Sequence, residues 1–198
     1  MLIGLTGRYC AGKNYIAALL ERRGFPVLDV DKLGHSAIET QKTAIVGRFG
    51  EDILSQDGSV NRQLLGAKVF GCKDALAALE AIVHPEANRL TLEWLAAQQG
   101  QPCVINAALL HKSVVFGQLN CILLVDAPFI TRLMRAKKRD KLSWPAIINR
   151  LLSQRQFYSQ YSSGNADIYR VENPGCGEPR VLGTLEGRID EILSKLHL

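Results

Sequence analysis

Short apolar runs alternate with longer segments of helical periodicity along the chain. This alternation is typical of a parallel sheet whose strands are joined by helices, so we predict an α/β fold with a five-stranded parallel sheet. The predicted strands are Leu2–Leu5, Pro26–Val30, Cys103–Ile105, Cys121–Val125 and Ile168–Val171. The first helix ends near Arg23, before Gly24, and the last helix runs from about Leu182 to Leu196.

The segment between the second and third predicted strands is too long for a simple crossover, and its pattern is mostly helical. Asn61 predicts the N-cap of a helix over Arg62–Phe70, and Pro85 predicts the start of another helix. Asp57-Gly58 indicates a turn between helical pieces. We therefore expect a helical lobe beside the sheet.

Composition places the chain among ordinary globular proteins, with 47% hydrophobic and 22% charged residues in 198. The longest charge-free stretch, Trp94 to His111, is interrupted by polar residues and does not resemble a membrane span. The opening residues Met1–Leu5 lack a basic flank and are too few for a signal-peptide core. We expect a cytoplasmic protein that binds no membrane.

The five cysteines include no C-x-x-C pair, which excludes zinc ribbons and thioredoxin-like redox sites. Cys103 and Cys121 lie inside apolar runs and are expected to be core thiols. Cys10 lies in a glycine-bounded loop next to Lys13. Because loop N–H groups and a lysine favour a thiolate, we expect a lowered pKa and sensitivity to oxidation at Cys10.

The strongest motif is the segment Gly7-Arg8-Tyr9-Cys10-Ala11-Gly12-Lys13-Asn14, between the first strand and the first helix. It matches G-x-x-x-x-G-K, in which successive backbone N–H groups surround phosphate oxygens and the lysine reaches the β- and γ-phosphates. We expect residues 7–14 to bind the phosphates of ATP. The alternative is a strand-to-helix turn with a chance lysine.

Asn14 stands where a serine or threonine hydroxyl normally ligates Mg²⁺. An amide oxygen is also a hard ligand, so Asn14 is a candidate metal ligand with altered reach. The chain has no N-K-x-D motif of a GTPase. No glutamate is adjacent to the aspartate after Ile122–Val125, which argues against transport-type and helicase-type ATPases. Small-molecule kinases remain.

The second predicted strand ends in Leu28-Asp29-Val30-Asp31. Two carboxylates two residues apart on an extended chain share one face, and at a strand end beside the phosphate loop that face borders the ligand crevice. One of them is a candidate base for an attacking hydroxyl. A helix N-cap is the alternative role, and both roles can be divided between the pair.

Eight basic residues and a single acid, Asp140, lie between Arg132 and Arg155, so this segment carries more than the whole net charge of +5. Arg132, Arg135 and Arg139 fall on one helical face, where guanidinium groups can clamp transferring phosphates. A solvated basic face is the alternative. No recognised nucleic-acid module accompanies the segment, so we expect a polyphosphate ligand and no nucleic acid.

These motifs together resemble bacterial dephospho-coenzyme A kinase, in order from residue 3 to about residue 173. The matching segments are Ile3-Gly4-Leu5-Thr6-Gly7, Gly12-Lys13, Val27-Leu28-Asp29-Val30-Asp31, Phe49-Gly50-Glu51-Asp52-Ile53-Leu54, Asp57-Gly58, Asn61-Arg62, His84-Pro85 and Val125-Asp126-Ala127-Pro128. The phosphate loop is shared by many families, whereas the series between the second and third strands is more specific.

The resemblance implies ATP- and Mg²⁺-dependent phosphorylation of the ribose 3′-hydroxyl of dephospho-coenzyme A, the last step of coenzyme A synthesis. It also implies a three-layer α/β/α phosphate-loop kinase fold with two helical elaborations. The nucleotide-binding core would comprise residues 1–31, 101–131 and 166–198. The acceptor domain would be 32–100 and the basic lid 132–165.

The resemblance assigns roles residue by residue. Asp31 matches the catalytic base, acting with Lys13 and Arg139, while Arg135 joins residues 7–14 in binding ATP. The acceptor would contact Asp31, His84 and Arg62. His35 and His111 are candidate substitute contacts for the substrate, and a satisfied or surface histidine is the alternative for each. The sequence departs from the family pattern at the loop interior, at His35 in place of an arginine, and at Ile105–His111, which lacks a proline and a glutamate.

Two other functions stay open on the sequence. One is a phosphate-loop kinase with another acceptor, such as a nucleoside or a small sugar. The other is a nucleotide-binding regulator without phosphoryl transfer, suggested by Asn14, His35 and His111. We expect the protein to be a monomer or a weakly associating oligomer.

Overall fold

The structure is a computed structural model that describes residues 1–154, 157–161, 166–174 and 179–198. Arg155 and Cys176, which enter the charge and cysteine patterns above, lie outside the described residues. The chain divides into two compact units. One unit comprises Met1–Leu28 and Gln98–Leu198, and the other comprises Asp29–Ala97.

Five strands of the described chain form one sheet in the order β2-β3-β1-β4-β5. Their bounds are β1 (Leu2–Gly7), β2 (Val27–Asp29), β3 (Cys103–Asn106), β4 (Cys121–Asp126) and β5 (Asp167–Glu172). Strand β1 pairs in parallel with both β3 and β4, and β4 pairs in parallel with β5. The predicted α/β fold with a five-stranded parallel sheet is confirmed.

The α-helices alternate with these strands or follow β2 as a group. Their bounds are α1 (Lys13–Arg22), α2 (Val30–Thr40), α3 (Lys42–Phe49), α4 (Arg62–Val69), α5 (Lys73–Ala97), α6 (Phe129–Arg139), α7 (Trp144–Leu152) and α8 (Pro179–Lys195). Ile3 and Leu5 of β1 pack with Ile16 and Leu20 of α1 and with Ile189 of α8. Alternate side chains of a strand point to the same face, so α1 and α8 cover one face of the sheet.

The second unit is helical, as the sequence predicts for the region between the second and third strands. Ala37 of α2, Ile45 of α3, Leu65 of α4 and Val83 of α5 are buried in one apolar cluster. The turn predicted at Asp57-Gly58 is present between α3 and α4, where the Asp57 carboxylate accepts hydrogen bonds from the Ser59 N–H and hydroxyl.

The prediction that Pro85 begins a helix is wrong, because Pro85 lies inside the 25-residue helix α5. Proline in a helix interior removes one backbone hydrogen bond and usually kinks the helix. Here Val83, Glu86, Ala87 and Thr91 are buried on one side of α5. Tertiary packing therefore continues the helix past a residue whose local preference is to start one.

The predicted cap of α4 at Asn61 is confirmed, because its side-chain oxygen accepts hydrogen bonds from the Gln63 and Leu64 N–H groups at 3.0 and 3.2 Å. We expect Asn61→Ala to lower the free energy of unfolding by about 1 kcal/mol, since two helix N–H groups lose their acceptor. The measurement is a urea unfolding curve.

Gln63→Ala is the matched control, because Gln63 is an exposed residue of the same helical turn. We expect it to change the free energy of unfolding by less than about 0.5 kcal/mol. Equal effects of the two substitutions would contradict the capping role.

Candidate active site

The phosphate loop connects the end of β1 to the start of α1. The Arg8 N–H donates to the Val125 carbonyl at 3.2 Å, and the Ala11 N–H turns back to the Arg8 carbonyl at 2.9 Å. Gly12 has a φ of 97° and is the N-cap of α1, so the helix begins at Lys13. The positive end of the α1 dipole therefore points into the loop, which is the arrangement that binds phosphate.

Two side chains hold the loop from the side of its Ala11 carbonyl. Arg135 Nη1 and Asn173 Nδ2 both donate to the Ala11 oxygen, at 3.1 and 2.9 Å. Arg135 Nη2 also donates to Asn173 Oδ1 at 3.0 Å. Asn173 directly follows β5 and holds the loop, and no sequence motif points to this contact. Its only signal in the sequence is a polar residue at the end of a strand.

Tyr9 joins the other side of the loop to the basic segment. Its N–H donates to Gln154 Oε1 at 2.7 Å, and its hydroxyl donates to the Asp140 carboxylate. The guanidinium groups of Arg139 and Arg150 lie 5.2 and 5.1 Å from the centre of its ring. Burial, and then the Asp140 hydrogen bond, raise the pKa of Tyr9, so the phenol remains a neutral donor.

Asp126, at the end of β4, is the acceptor for a second group around the loop. Its carboxylate accepts from the Ala127 N–H at 2.8 Å, from the Tyr158 hydroxyl and from Arg170 at 3.2 Å, and it lies 3.6 Å from Arg8. The Tyr158 ring has the guanidinium groups of Arg8 and Arg170 each 4.5 Å from its centre.

The Asp126 carboxyl is ionised in this setting. Burial raises its pKa. The Tyr158 and Ala127 hydrogen bonds and the charge of Arg8 together lower the pKa by more than burial raises it, so it lies below the usual range for aspartate. Asp126 therefore presents a full negative charge to the arginines around it.

The three arginines predicted to share a face of α6 have three different partners. Arg132 is 4% exposed and donates through Nε to the Ala127 carbonyl at 3.0 Å. Arg135 holds the loop, and Arg139 donates to Asp140 at 2.8 Å. The guanidinium of Arg132 is buried at the end of β4, whereas Arg135 is partly exposed and Arg139 is exposed.

Asn14 is exposed in the first turn of α1 and contacts the end of β3. Asn106 Nδ2 donates to Asn14 Oδ1 at 3.5 Å, and Asn106 itself is buried. The amide oxygen of Asn14, the residue after Lys13, is the kind of hard oxygen ligand that Mg²⁺ requires. In the sequence, Asn106 stands out only as part of a segment that departs from the family pattern.

The residues predicted to act on the acceptor all belong to the second unit. Asp31 and His35 are exposed and lie one turn apart on α2, Arg62 is the first residue of α4, and His84 is exposed on α5. They are residues of three different helices.

The expectation that Asp29 and Asp31 share one face of an extended chain is wrong. Strand β2 ends at Asp29, whose carboxylate accepts from the Lys32 N–H at 3.2 Å and caps α2. Asp31 is consequently in the first helical turn, where residues two apart point in different directions. The alternative N-cap role is correct for Asp29.

His111 has partners within the first unit. Its Nδ1 lies 3.4 Å from the Tyr161 hydroxyl, which in turn lies 3.2 Å from the Thr6 hydroxyl. Burial, and then the charge of Lys112, lower the pKa of His111. This environment fits a neutral histidine at the edge of the core.

Within the described ranges, no helix combines the length and apolarity needed to span a bilayer.

The glycine-bounded loop between a parallel strand and a helix, with a lysine at the helix start and arginines on both sides, defines a phosphate-loop kinase.

Comparison with known proteins narrows this class to one family. The dephospho-CoA kinase family model matches residues 1–170, and the chain belongs to this family. The dephospho-CoA kinase of Treponema pallidum is 34% identical over 204 residues, covering 98% of this chain and 94% of that protein.

Solved structures agree with the fold. A Thermus thermophilus protein of known structure superposes with a TM-score of 0.81 at 33% identity, covering 99% of this chain and 97% of that one. The structure of the dephospho-CoA kinase from Campylobacter jejuni has a TM-score of 0.66 at 21% identity, with coverages of 98% and 96%.

Gly12→Ala tests the shape of the loop. A Cβ atom at Gly12 would lie 2.2 Å from Asn173 Nδ2, and its φ of 97° disfavours any side chain. Because the loop must shift, we expect the dissociation constant for ADP to rise at least about tenfold, which isothermal titration calorimetry can measure.

Gly24→Ala is the control for backbone strain alone, since Gly24 has a φ of 86° and nothing within 4 Å of its added Cβ. We expect unchanged ADP affinity for this variant. Unchanged affinity in Gly12→Ala would contradict the fixed loop shape.

The expectation of a lowered pKa at Cys10 is wrong, because burial raises the pKa of this thiol more than the nearby charge of Arg139 lowers it.

At pH 7 we therefore expect alkylation by iodoacetamide to be slower at Cys10 than at the exposed Cys72. The alkylation rate of Cys10 should keep rising as the pH passes about 8.5, the usual thiol pKa, where the rate of an unshifted thiol begins to level off. Peptide mass spectrometry gives both rates, and faster labelling of Cys10 at pH 7 would refute this.

Proposed function

We propose that this chain transfers the γ-phosphate of ATP to the ribose 3′-hydroxyl of dephospho-coenzyme A, the final step of coenzyme A biosynthesis. The observation that carries the proposal is the dephospho-CoA kinase family match over residues 1–170, in a chain whose phosphate loop has the geometry described above. Catalysis would rest on positioning and on stabilisation of charge.

ATP would bind through backbone N–H groups of residues 7–14, with Lys13 on the β- and γ-phosphates. Arg135 supports this site because it holds the Ala11 carbonyl. Arg139 lies beside the same loop on the Tyr9 ring and has a mostly exposed side chain. A guanidinium in this place can stabilise charge that develops on the transferred phosphoryl group.

Asp31 would orient the acceptor hydroxyl and accept its proton. Its place in the first turn of α2, with an exposed side chain, supports a role in contacting a ligand. His35 lies one turn further along, and His84 and Arg62 present exposed groups on α5 and α4. We therefore propose residues 32–100 as the acceptor domain, 132–165 as the lid, and residues 1–31, 101–131 and 166–198 as the nucleotide-binding core.

Magnesium would accompany ATP. No group of three or more histidines, cysteines or acids that could hold a metal occurs among the described residues. A nucleotide-borne ion that takes one protein oxygen suits this composition, and Asn14 offers that oxygen. Bound there, the ion would neutralise charge on the β- and γ-phosphates.

The basic segment favours a polyphosphate ligand over nucleic acid. Arg135, Arg139 and Arg150 surround the phosphate loop and Asp140 within one compact site. We propose a cytoplasmic enzyme that is a monomer or a weak oligomer and has no nucleic-acid or membrane partner.

The experiment that tests the acceptor is ADP formation with a panel of hydroxyl compounds: dephospho-coenzyme A, adenosine, AMP and a small sugar. We expect ADP formation to be fastest with dephospho-coenzyme A. Faster turnover of a nucleoside or sugar would show that this compound, and not dephospho-coenzyme A, is the acceptor. Nucleotide binding without ADP formation on any acceptor would show that the chain is a nucleotide-binding regulator and not an enzyme.

Lys13→Ala and Asp31→Asn should each lower kcat/KM at least about 100-fold, since one removes a phosphate contact and the other the base. Melting temperatures should stay near that of the unaltered chain. Steady-state kinetics with dephospho-coenzyme A measures the effect.

The matched controls are Lys73→Ala and Asp74→Asn, which change a lysine at the first residue of α5 and an acid in its first turn. We expect kcat/KM within about twofold of the unaltered chain for both, because neither side chain belongs to the proposed site. Full activity of Lys13→Ala or Asp31→Asn would remove that residue from the mechanism.

A further inference from the structure

Asn106 is a buried polar residue at the end of an apolar strand. It follows Cys103-Val104-Ile105 in β3, lies opposite Leu5 of β1, and is 2% exposed. Its Oδ1 atom is buried and has no hydrogen-bond partner among the described residues. Burying an amide oxygen without a donor is unfavourable, so stability does not explain an asparagine here.

The contact that this side chain makes is with the phosphate loop. Asn106 Nδ2 donates to Asn14 Oδ1 at 3.5 Å, across 92 positions of the sequence. The distance is long for a hydrogen bond, so the contact orients the Asn14 amide without fixing it tightly. If the Asn14 amide were reversed, its NH₂ group would face the NH₂ group of Asn106, which is unfavourable.

A carbonyl oxygen has two lone pairs, and one of them suffices for Asn106. The second lone pair of Asn14 Oδ1 is then available to a cation. A serine or threonine hydroxyl needs no such orientation, because its oxygen is the only polar atom of the side chain. An amide needs orientation, because one end is an acceptor oxygen and the other is a donor NH₂ group, and only the oxygen can ligate Mg²⁺.

We propose that Asn106 is a positioning residue for the magnesium ion of the nucleotide, acting by turning the Asn14 oxygen toward the metal. The inference rests on the proposed ATP-dependent function. It makes Asn14 and Asn106 a pair that replaces the usual hydroxyl ligand. Partners of metal ligands typically change metal affinity about 10–100-fold when removed.

The test is a double-mutant cycle read by electron paramagnetic resonance of Mn²⁺ in the presence of ADP. The four proteins are the unaltered chain, Asn106→Leu, Asn14→Thr and the double variant. Leucine has the same number of side-chain heavy atoms, branched at the same carbon, and suits an apolar strand, so we expect Asn106→Leu to melt at or above the temperature of the unaltered chain.

Asn106→Leu should raise the Mn²⁺ dissociation constant of the ADP complex about tenfold when Asn14 is unaltered. The same substitution should change it less than about twofold when it is combined with Asn14→Thr, because a hydroxyl ligand needs no orienting partner. ADP affinity in EDTA should not change when Asn106→Leu is introduced, whether Asn14 is unaltered or already replaced by threonine.

An equal loss of Mn²⁺ affinity in both backgrounds, or no loss in either, would overturn the pairing. Absence of Mn²⁺ binding by the complex of the unaltered chain with ADP would overturn both the pairing and the proposed magnesium step. Normal Mn²⁺ affinities and the expected coupling, without phosphorylation of dephospho-coenzyme A, would leave the pairing intact and overturn only the acceptor.

Discussion

The carbonyl of Ala11 is the point at which the phosphate loop is fixed, because Arg135 from α6 and Asn173 from the end of β5 both donate to it. Buried carbonyls and amides require partners, and here two side chains supply them from elements more than a hundred residues away in the sequence. The contact excludes a side chain at Gly12 and lets α1 begin immediately afterwards. The protein's own contacts thereby shape an anion site at a helix N-terminus.

Two carboxylates organise the arginines around this loop. Asp126 accepts from Arg170 and lies within 4 Å of Arg8 and Arg132, while Asp140 accepts from Arg139 and lies 4.0 Å from Arg150. Each acid offsets only one positive charge, so both groups keep a positive surplus beside the loop. The arginines paired with Asp140 are mostly exposed, and such pairs add little stability. The value of both groups is that they set where the guanidinium groups point.

Local patterns were sufficient for the strands, the loop and the cap at Asn61, because each depends on residues close together in the chain. They failed where contacts with residues distant in the sequence determine the local structure or the pKa. Packing of α5 overrides the preference of Pro85, and burial reverses the expected direction of the Cys10 pKa shift. Asn173 and Asn106 carry only weak local signals, since their roles arise from contacts with loop residues 162 and 92 positions away. In the sequence, the aspartate pair fits an extended strand as well as it fits the start of a helix. The residue type alone does not distinguish an aspartate at a strand end from one that caps a helix.

The central claim is that this anion site serves phosphoryl transfer to dephospho-coenzyme A. The most direct measurement is the mass of the acceptor after incubation of the chain with ATP, Mg²⁺ and dephospho-coenzyme A, with ³¹P NMR to locate the new phosphate. The account predicts a gain of one phosphate on the ribose 3′-hydroxyl. An unchanged acceptor with ATP still bound, or a phosphate on another hydroxyl, would contradict it.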